Sequence, residues 1–333
     1  MKKNSLKVLS VIGASIVPFV ITPLIVSCSK GEDLSNVKMY DKNHRILFNG
    51  AGEILDYDGN ATELEIPEYL ENNSVTSSPY YGKRIQIKKI GYSAFEWNKN
   101  EDSGRPKLQK VTLPNSITYI NSYSFRNNEI SSINIPDSVI EIDTSVFENN
   151  KISSINIPDS VTKIGDSAFK NNEISSINIP DSVIEIGNNA FANTQLTQVT
   201  IPSSVKYLSG FNGTKITNIE IPNSVTVIGG AAFENTQLTQ VTIPNSVTVI
   251  GVAAFENTQL TQVTIPNSVT VIDLSAFANT QLTQVTIPNS VTKIGLWAFD
   301  NTKLTEVTLP PNCKYESNAF PENCVVNGGI KID

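Results

Sequence analysis

A pattern of apolar and polar residues recurs every 22 positions along most of the chain, and it predicts two short strands and a turn in each unit. In one unit, Val241 and Ile243 flank the polar Thr242, an alternation typical of a strand with one buried face. The next residue, Pro244, ends that strand because proline has no N–H to donate. The β-branched segment 247–250 predicts a second strand on another face. A tight turn follows, and one turn of α-helix or 3₁₀-helix then places the Phe255 side chain in the interior.

The repeat extends from the first third of the chain almost to its end. Proline and phenylalanine recur together with a 22-residue period, interrupted by one 20-residue step near Gly210. Residues 127–142 are identical to 171–186, and 234–250 are identical to 256–272, which indicates duplication of single units. One unit cannot bury its own apolar face, whereas neighbours stacked at about 4.8 Å can. We therefore predict a mostly β solenoid of about ten 22-residue units, with short parallel strands joined by turns.

These units resemble the BspA-like leucine-rich repeat, whose pattern runs L-x-x-V-x-I-P-x-S-V-x-x-I-G-x-x-A-F. The match is close over 108–320 and looser back to Leu64. The resemblance implies a leucine-rich repeat protein exposed at a bacterial surface and used for attachment or host contact, and it implies no chemistry. We place the solenoid at 64–312, a strand-rich N-terminal cap at 37–63 and a C-terminal cap at 313–333. In the last cap, Glu316 stands where the pattern expects isoleucine.

The first 28 residues are typical of a secretory signal. Three lysines are followed by an uncharged, mostly apolar run and by small residues just before Cys28. This arrangement resembles a bacterial lipobox and implies that 1–27 is a signal peptide, that Cys28 carries a diacylglyceryl group, and that 28–36 is a tether. A membrane-spanning helix is the alternative, which Pro18 and Pro23 oppose. In either case the rest of the chain is expected outside the membrane, on the extracellular face.

Composition and motifs argue against catalysis. The formal net charge is −7, and no basic block suggests a nucleic-acid partner. The single histidine, His44, lies in the cap, and no catalytic triad, CxxC, HExxH or phosphate-binding glycine loop is present. We expect no enzyme activity, no cofactor and no metal site. Stacked aspartates at 137, 159 and 181 have the oxygens that calcium prefers, but serine or asparagine elsewhere in this column indicates turns.

The cysteines and one column of asparagines are explained by structural roles. Cys313 and Cys324 either form a disulfide that closes the C-terminal cap or stay as thiols, and their positions in the repeat favour thiols. One asparagine column is expected to support left-handed turns and a buried amide ladder. Its members are Asn127, Asn149, Asn171, Asn193, Asn235, Asn257, Asn279 and Asn301.

Two surfaces are candidates for binding. The polar side of the first strand presents threonine, asparagine, serine and glutamine, which suit glycans or proteins but also suit a plain soluble face. The second candidate is an apolar patch in the second half of the chain, where earlier units carry polar residues. It is either an exposed interaction site or a set of turns that bury their own side chains. Its members are Tyr207, Val227, Val249, Val271, Val252, Leu274, Leu296 and Trp297.

The sequence therefore predicts a lipid-anchored repeat protein that binds macromolecules of a host or a neighbouring cell. The alternative is a structural or antigenically variable coat lipoprotein without a dedicated ligand. The ligand, expected to be a protein or a glycan, is not identified by the sequence.

Overall fold

The computed structural model describes residues 33–98 and 104–332, and all regular secondary structure within them is β. The predicted signal peptide and the predicted lipid site at Cys28 lie outside these residues. In the two described segments, no helix has the length and apolar character needed to cross a bilayer.

The N-terminal cap is an antiparallel meander that leads into the first rung of the solenoid. The strand pattern of 37–57 is confirmed: three strands follow one another there, and the third pairs in parallel with the first rung. Two strands on either side of a segment that contains Tyr80 and Tyr81 form a separate hairpin. The strands of this region are β1 (Lys38–Asp41), β2 (Ile46–Asn49), β3 (Glu53–Tyr57), β4 (Glu63–Glu65), β5 (Tyr69–Glu71), β6 (Arg84–Gln86) and β7 (Lys89–Ile90).

The repeat units stack through two-residue parallel strands. These strands belong to one fifteen-stranded sheet that begins with the first three strands of the cap and continues rung by rung to the C-terminal end, which confirms the solenoid. The next strands along the chain are β8 (Lys110–Thr112), β9 (Tyr119–Ile120), β10 (Ser132–Ile133), β11 (Glu141–Ile142), β12 (Lys163–Ile164), β13 (Glu185–Ile186), β14 (Tyr207–Leu208), β15 (Val227–Ile228), β16 (Val249–Ile250), β17 (Val271–Ile272) and β18 (Lys293–Ile294). In the two-residue strands of the long sheet, β9 and β11 to β18, the second residue points into the core and is fully buried.

The first predicted strand of each unit is only partly formed. Among the described residues it is a regular strand in β4, β8 and β10, which pair in parallel as a small sheet, and at the start of the long strand Glu306–Glu316 near the C-terminal end. Farther along, single parallel bridges join Glu220 to Thr242 and Thr242 to Thr264. The prediction of a strand in every unit was therefore too generous. In most units the segment ends at a proline, which cannot donate a hydrogen bond and so keeps the ladder short.

A tight turn without helix brings each phenylalanine inward. Two left-handed residues lie four positions apart in a typical turn, as at Ala253 (φ 55°) and Asn257 (φ 56°). A left-handed residue interrupts a right-handed helix, so the expected helical or 3₁₀ turn does not form. All eight asparagines of the column have positive φ, which confirms the left-handed prediction.

The asparagine column forms an amide ladder from Asn127 to Asn193, and this ladder lies at the surface instead of in the interior. Asn149 donates to Asn127 at 2.7 Å, and Asn171 donates to Asn149 at the same distance. The side chains are half-buried or exposed, so the expectation of a buried ladder was wrong. The buried amides belong to the following position, at Asn128, Asn150 and Asn172.

The core is a continuous stack of phenylalanine rings. From Phe95 to Phe320, neighbouring rings lie 5.1 to 6.0 Å apart between centroids and are nearly parallel. At the 20-residue step, Gly210 (φ 96°) and Gly213 (φ 67°) take the two left-handed positions of a shortened turn. The stack continues through Phe211, with its widest spacing of 6.0 Å to Phe233.

The C-terminal end departs from the predicted pairing by one residue. Two longer strands, β19 (Glu306–Glu316) and β20 (Val325–Ile332), pair in parallel there. Ile294 pairs with Tyr315, so Tyr315 and not Glu316 takes the place of the expected isoleucine. Phe320 still stacks on Phe299 at 5.3 Å. The repeat packing therefore continues into the region assigned to the cap.

Candidate functional site

The apolar patch lies on the outer side of the long sheet and on the turn that follows it. Parallel pairing places Tyr207 beside Val227, Val227 beside Val249, and Val249 beside Val271. These four side chains are half-buried, because each is flanked by its neighbours on adjacent rungs. The structure thus brings these predicted residues together. It exposes them less than expected from the charged residues at the same position of earlier units, such as Glu141 and Lys163.

The exposed part of the patch lies at the turn. Val252 is 44% exposed and Trp297 is 43% exposed, whereas Leu274 and Leu296 are half-buried. Trp297 has φ 57°, a left-handed conformation that is unusual for a bulky side chain. Serine, alanine or asparagine takes this position in most other units. The turn thus directs the indole outward.

The Tyr207 side chain makes contacts within the protein through both its hydroxyl and its ring. Its hydroxyl donates to Asn188 Oδ1 at 3.0 Å, and its ring covers Gly229 so closely that a Cβ there would lie 2.4 Å from the Tyr207 oxygen. Burial raises the pKa of the Tyr207 hydroxyl. A partner would meet the edge of this ring at the boundary of the patch.

A polar groove of about 640 Å³ lies on a different side of the rungs, along the first-strand segments. The sequence indicated this face as polar but did not place a groove on it. The available signal was the exact recurrence of glutamine and threonine in successive units. The groove is lined by Asn218, Ile219, Gln240, Val241, Thr242, Gln262, Val263, Thr264, Gln284, Val285 and Thr286.

The first half of the solenoid carries a column of alternating charges. Arg126 Nε lies 3.1 Å from Glu96 Oε1, and its Nη1 lies 3.8 Å from Glu148. Lys170 Nζ lies 3.8 Å from the other Glu148 oxygen. This column links neighbouring rungs by opposite charges.

The two described cysteines are thiols and form no disulfide. Cys313 is fully buried, and burial raises the pKa of its thiol to about 11. Burial, followed by the charge of Glu306, also raises the pKa of Cys324. Neither thiol has the lowered pKa of a nucleophilic cysteine.

The acidic side chains of the described segments do not gather into a metal site. No group of three or more His, Cys, Asp or Glu side chains in these segments is arranged to hold an ion. Asp137, Asp159 and Asp181 are exposed at the turn after the proline.

Comparisons with known proteins agree with this architecture. Residues 88–210 and 208–326 match the family model for the BspA type leucine rich repeat region, a repeat architecture and not a catalytic domain. No curated protein matched the chain.

Solved structures of two bacterial proteins have a fold similar to that of this chain. A leucine-rich repeat protein from Bacteroides ovatus is 23% identical, with a TM-score of 0.52 over 87% of this chain and 88% of that one. The pneumococcal vaccine antigen PcpA is 15% identical, with a TM-score of 0.54 over 89% of this chain and 99% of that one. At these identities the likeness establishes the fold alone. The family match covers more than half of the sequence, and the chain therefore belongs to the BspA type leucine rich repeat family.

Proposed function

We propose that this chain is a cell-surface lipoprotein that binds macromolecules of a host or a neighbouring cell through its repeat domain. The observation that carries the proposal is the apolar patch, where Val252 and Trp297 are exposed on an otherwise regular solenoid. Contiguous apolar surface on a soluble face tends to mark an interaction site. The extended stack of units supports the same role, because repeat proteins present long surfaces to their partners.

The anchor is proposed from the sequence. Cys28 follows an aliphatic residue and small residues at the end of an apolar run, which suits lipidation of this thiol. Two acyl chains hold a protein stably at a bilayer, so the repeat domain would stay at the outer face. Labelling with a fatty-acid analogue should mark the full chain and should not mark Cys28→Ala. Equal labelling of both would contradict the anchor.

The binding role is tested by altering the exposed end of the patch. The change is Leu296→Ser with Trp297→Ser in the full chain, where Trp297→Ser suits the left-handed turn because Ser167 and Ser275 adopt it. Loss of these apolar side chains should reduce binding to host cells or matrix proteins at least tenfold, as measured by flow cytometry and surface plasmon resonance. The matched control is Asp166→Ala with Ser167→Ala at the equivalent polar turn, which should bind as the unaltered chain does.

A coat protein without a dedicated ligand is the second candidate. It is favoured by the identity of units 127–142 and 171–186, because duplication of this kind changes repeat number readily. If neither double variant alters cell binding or self-association, the patch is not a partner site and the coat function gains support.

A further inference from the structure

The polar groove repeats one set of side chains at every rung. Gln240, Gln262 and Gln284 form one line along it, and Thr242, Thr264 and Thr286 form a second. All six are exposed, and the bridge between Thr242 and Thr264 fixes their register. Buried or nearly buried valines between the two lines form the floor. The groove therefore offers the same local surface several times in succession.

The chemistry of these side chains suits a ligand rich in hydroxyl groups. A glutamine amide has two donor hydrogens and a carbonyl acceptor, and a threonine hydroxyl both donates and accepts. Each rung can therefore form several hydrogen bonds with the hydroxyl groups of a ligand, directly or through water. The threonine methyls and the valine floor add apolar contact with C–H groups.

The spacing of the rungs restricts the ligand further. Parallel bridges join Glu220 to Thr242 and Thr242 to Thr264, so the rung step at the groove is the spacing of paired strands, about 4.8 Å. An extended peptide advances about 3.3 Å per residue, so neither one residue nor two match this step. A pyranose in an extended β-1,4-linked chain advances by about one rung, and successive sugars are turned over, so each rung can meet one sugar and every second rung can meet the same sugar face.

Charge excludes a large class of glycans. No charged side chain lines the groove, although the protein as a whole has a net charge of −7. The next rung places the exposed Glu220 beside Thr242. A polyanionic chain would meet this carboxylate without any compensating cation in the groove, whereas an uncharged chain would not be repelled.

We propose that the groove binds an uncharged β-1,4-linked glycan, with one sugar per rung across the rungs that carry Asn218, Gln240, Gln262 and Gln284. The inference rests on the proposed role as a surface binding protein and gives that role a ligand class at a surface distinct from the apolar patch.

The test measures glycan binding by the full chain in detergent micelles, using isothermal titration calorimetry. The probes are cellohexaose and chitohexaose, which are β-1,4-linked, and maltohexaose, whose α-1,4 linkage gives a coiled chain. At least one β-linked hexamer should bind tenfold more tightly than maltohexaose and than its own disaccharide. Thr242→Val with Thr264→Val keeps the shape of both side chains but removes their hydroxyls, and it should weaken that binding at least tenfold. Thr112→Val, in the same column but outside the groove, should have no effect.

Several results would overturn the inference. These are failure of both β-linked hexamers to bind, equal binding of maltohexaose, or unchanged binding by the double valine variant. Cell binding by the same proteins separates this outcome from failure of the proposed function. A chain that binds cells through Trp297 but binds no neutral glycan would refute the groove alone. A chain that binds the hexamers but no cell or matrix protein would refute the patch alone.

Discussion

At the scale of single residues, the buried position three residues after each core phenylalanine forms different hydrogen bonds in the two halves of the solenoid. Asn150 Nδ2 donates to the carbonyl oxygens of Phe125 and Phe147, at 2.9 and 3.1 Å, and its Oδ1 accepts from the Ile130 N–H at 2.9 Å. In the second half, Thr236 at the equivalent position donates to Phe233 at 2.8 Å. The asparagine links two rungs, whereas the threonine hydroxyl caps the turn of its own rung.

This difference predicts unequal effects of substitution at Asn150. Asn150→Ala leaves buried backbone groups without partners and should lower the free energy of unfolding by about 3 kcal/mol. Asn150→Thr keeps the bond within the unit and should cost about 1 kcal/mol. Urea unfolding followed by circular dichroism measures both values. Equal losses for the two variants would show that the bond within the unit, which only Asn150→Thr keeps, contributes nothing.

At the scale of the turn and its columns, the two halves of the solenoid differ in their charges. Glu148 lies between Arg126 and Lys170, but Glu256 follows Glu234 on the next rung without a cation between them. Burial raises the pKa of Glu256, and the charge of Glu234 raises it further. A carboxyl whose pKa is raised by folding binds protons more tightly in the folded state. Its contribution therefore makes the fold less stable as pH rises from its unfolded pKa through its folded pKa.

Replacing Glu256 should remove this pH-dependent loss. Glu256→Gln should stabilise the protein by about 0.3 kcal/mol at pH 7, the size of an exposed charge interaction, and the gain should vanish below roughly pH 4. Glu148→Gln is the control, because loss of the attraction to Arg126 and Lys170 should destabilise at pH 7. Urea midpoints across this pH range measure both effects. A gain for Glu256→Gln that persists in acid would have to come from another source.

The same columns show how far sequence reasoning reaches. Periodicity predicted the parallel stack, the buried phenylalanines and the left-handed asparagines, because these depend on features that recur in every unit. Periodicity placed Glu316 at the position of the repeated isoleucine, whereas Tyr315 holds that position in the structure. A shift of one residue is visible only in the strand pairing. The sequence showed which polar residues lie on this face, but it did not predict the groove, because the groove depends on the distance between neighbouring segments. The partial burial of Val249 likewise depends on how closely the rungs pack.

At the scale of the whole repeat domain, each regular unit pairs with the rungs on either side of it. The outer residue Val249, for example, pairs with Val227 and with Val271. Stability in such a stack is approximately a sum of unit and nearest-neighbour contributions. The number of units can therefore change without change in the contacts of the remaining ones.

Deletion of one whole period should preserve the fold. Removal of residues 251–272 joins Ile250 to Asp273 and restores the same sequence pattern, so the shortened chain should unfold cooperatively with a denaturant m-value about a tenth lower. Removal of residues 251–261, half a period, places polar residues at core positions and should prevent folding. Urea titration with near-UV circular dichroism distinguishes the two. Loss of folding after the full-period deletion would contradict the nearest-neighbour description.

The phenylalanine stack has a mechanical consequence. If one end of the solenoid is held and the other is pulled, load passes from rung to rung through the same small set of contacts at each step. A rung that detaches frees 22 residues, or about 75 Å of extended chain, while shortening the stack by only one ring spacing. Tension between two attached bodies would then be relieved in discrete lengths, with the remaining rungs still folded. Under such a load the repeat would lengthen stepwise, one rung at a time.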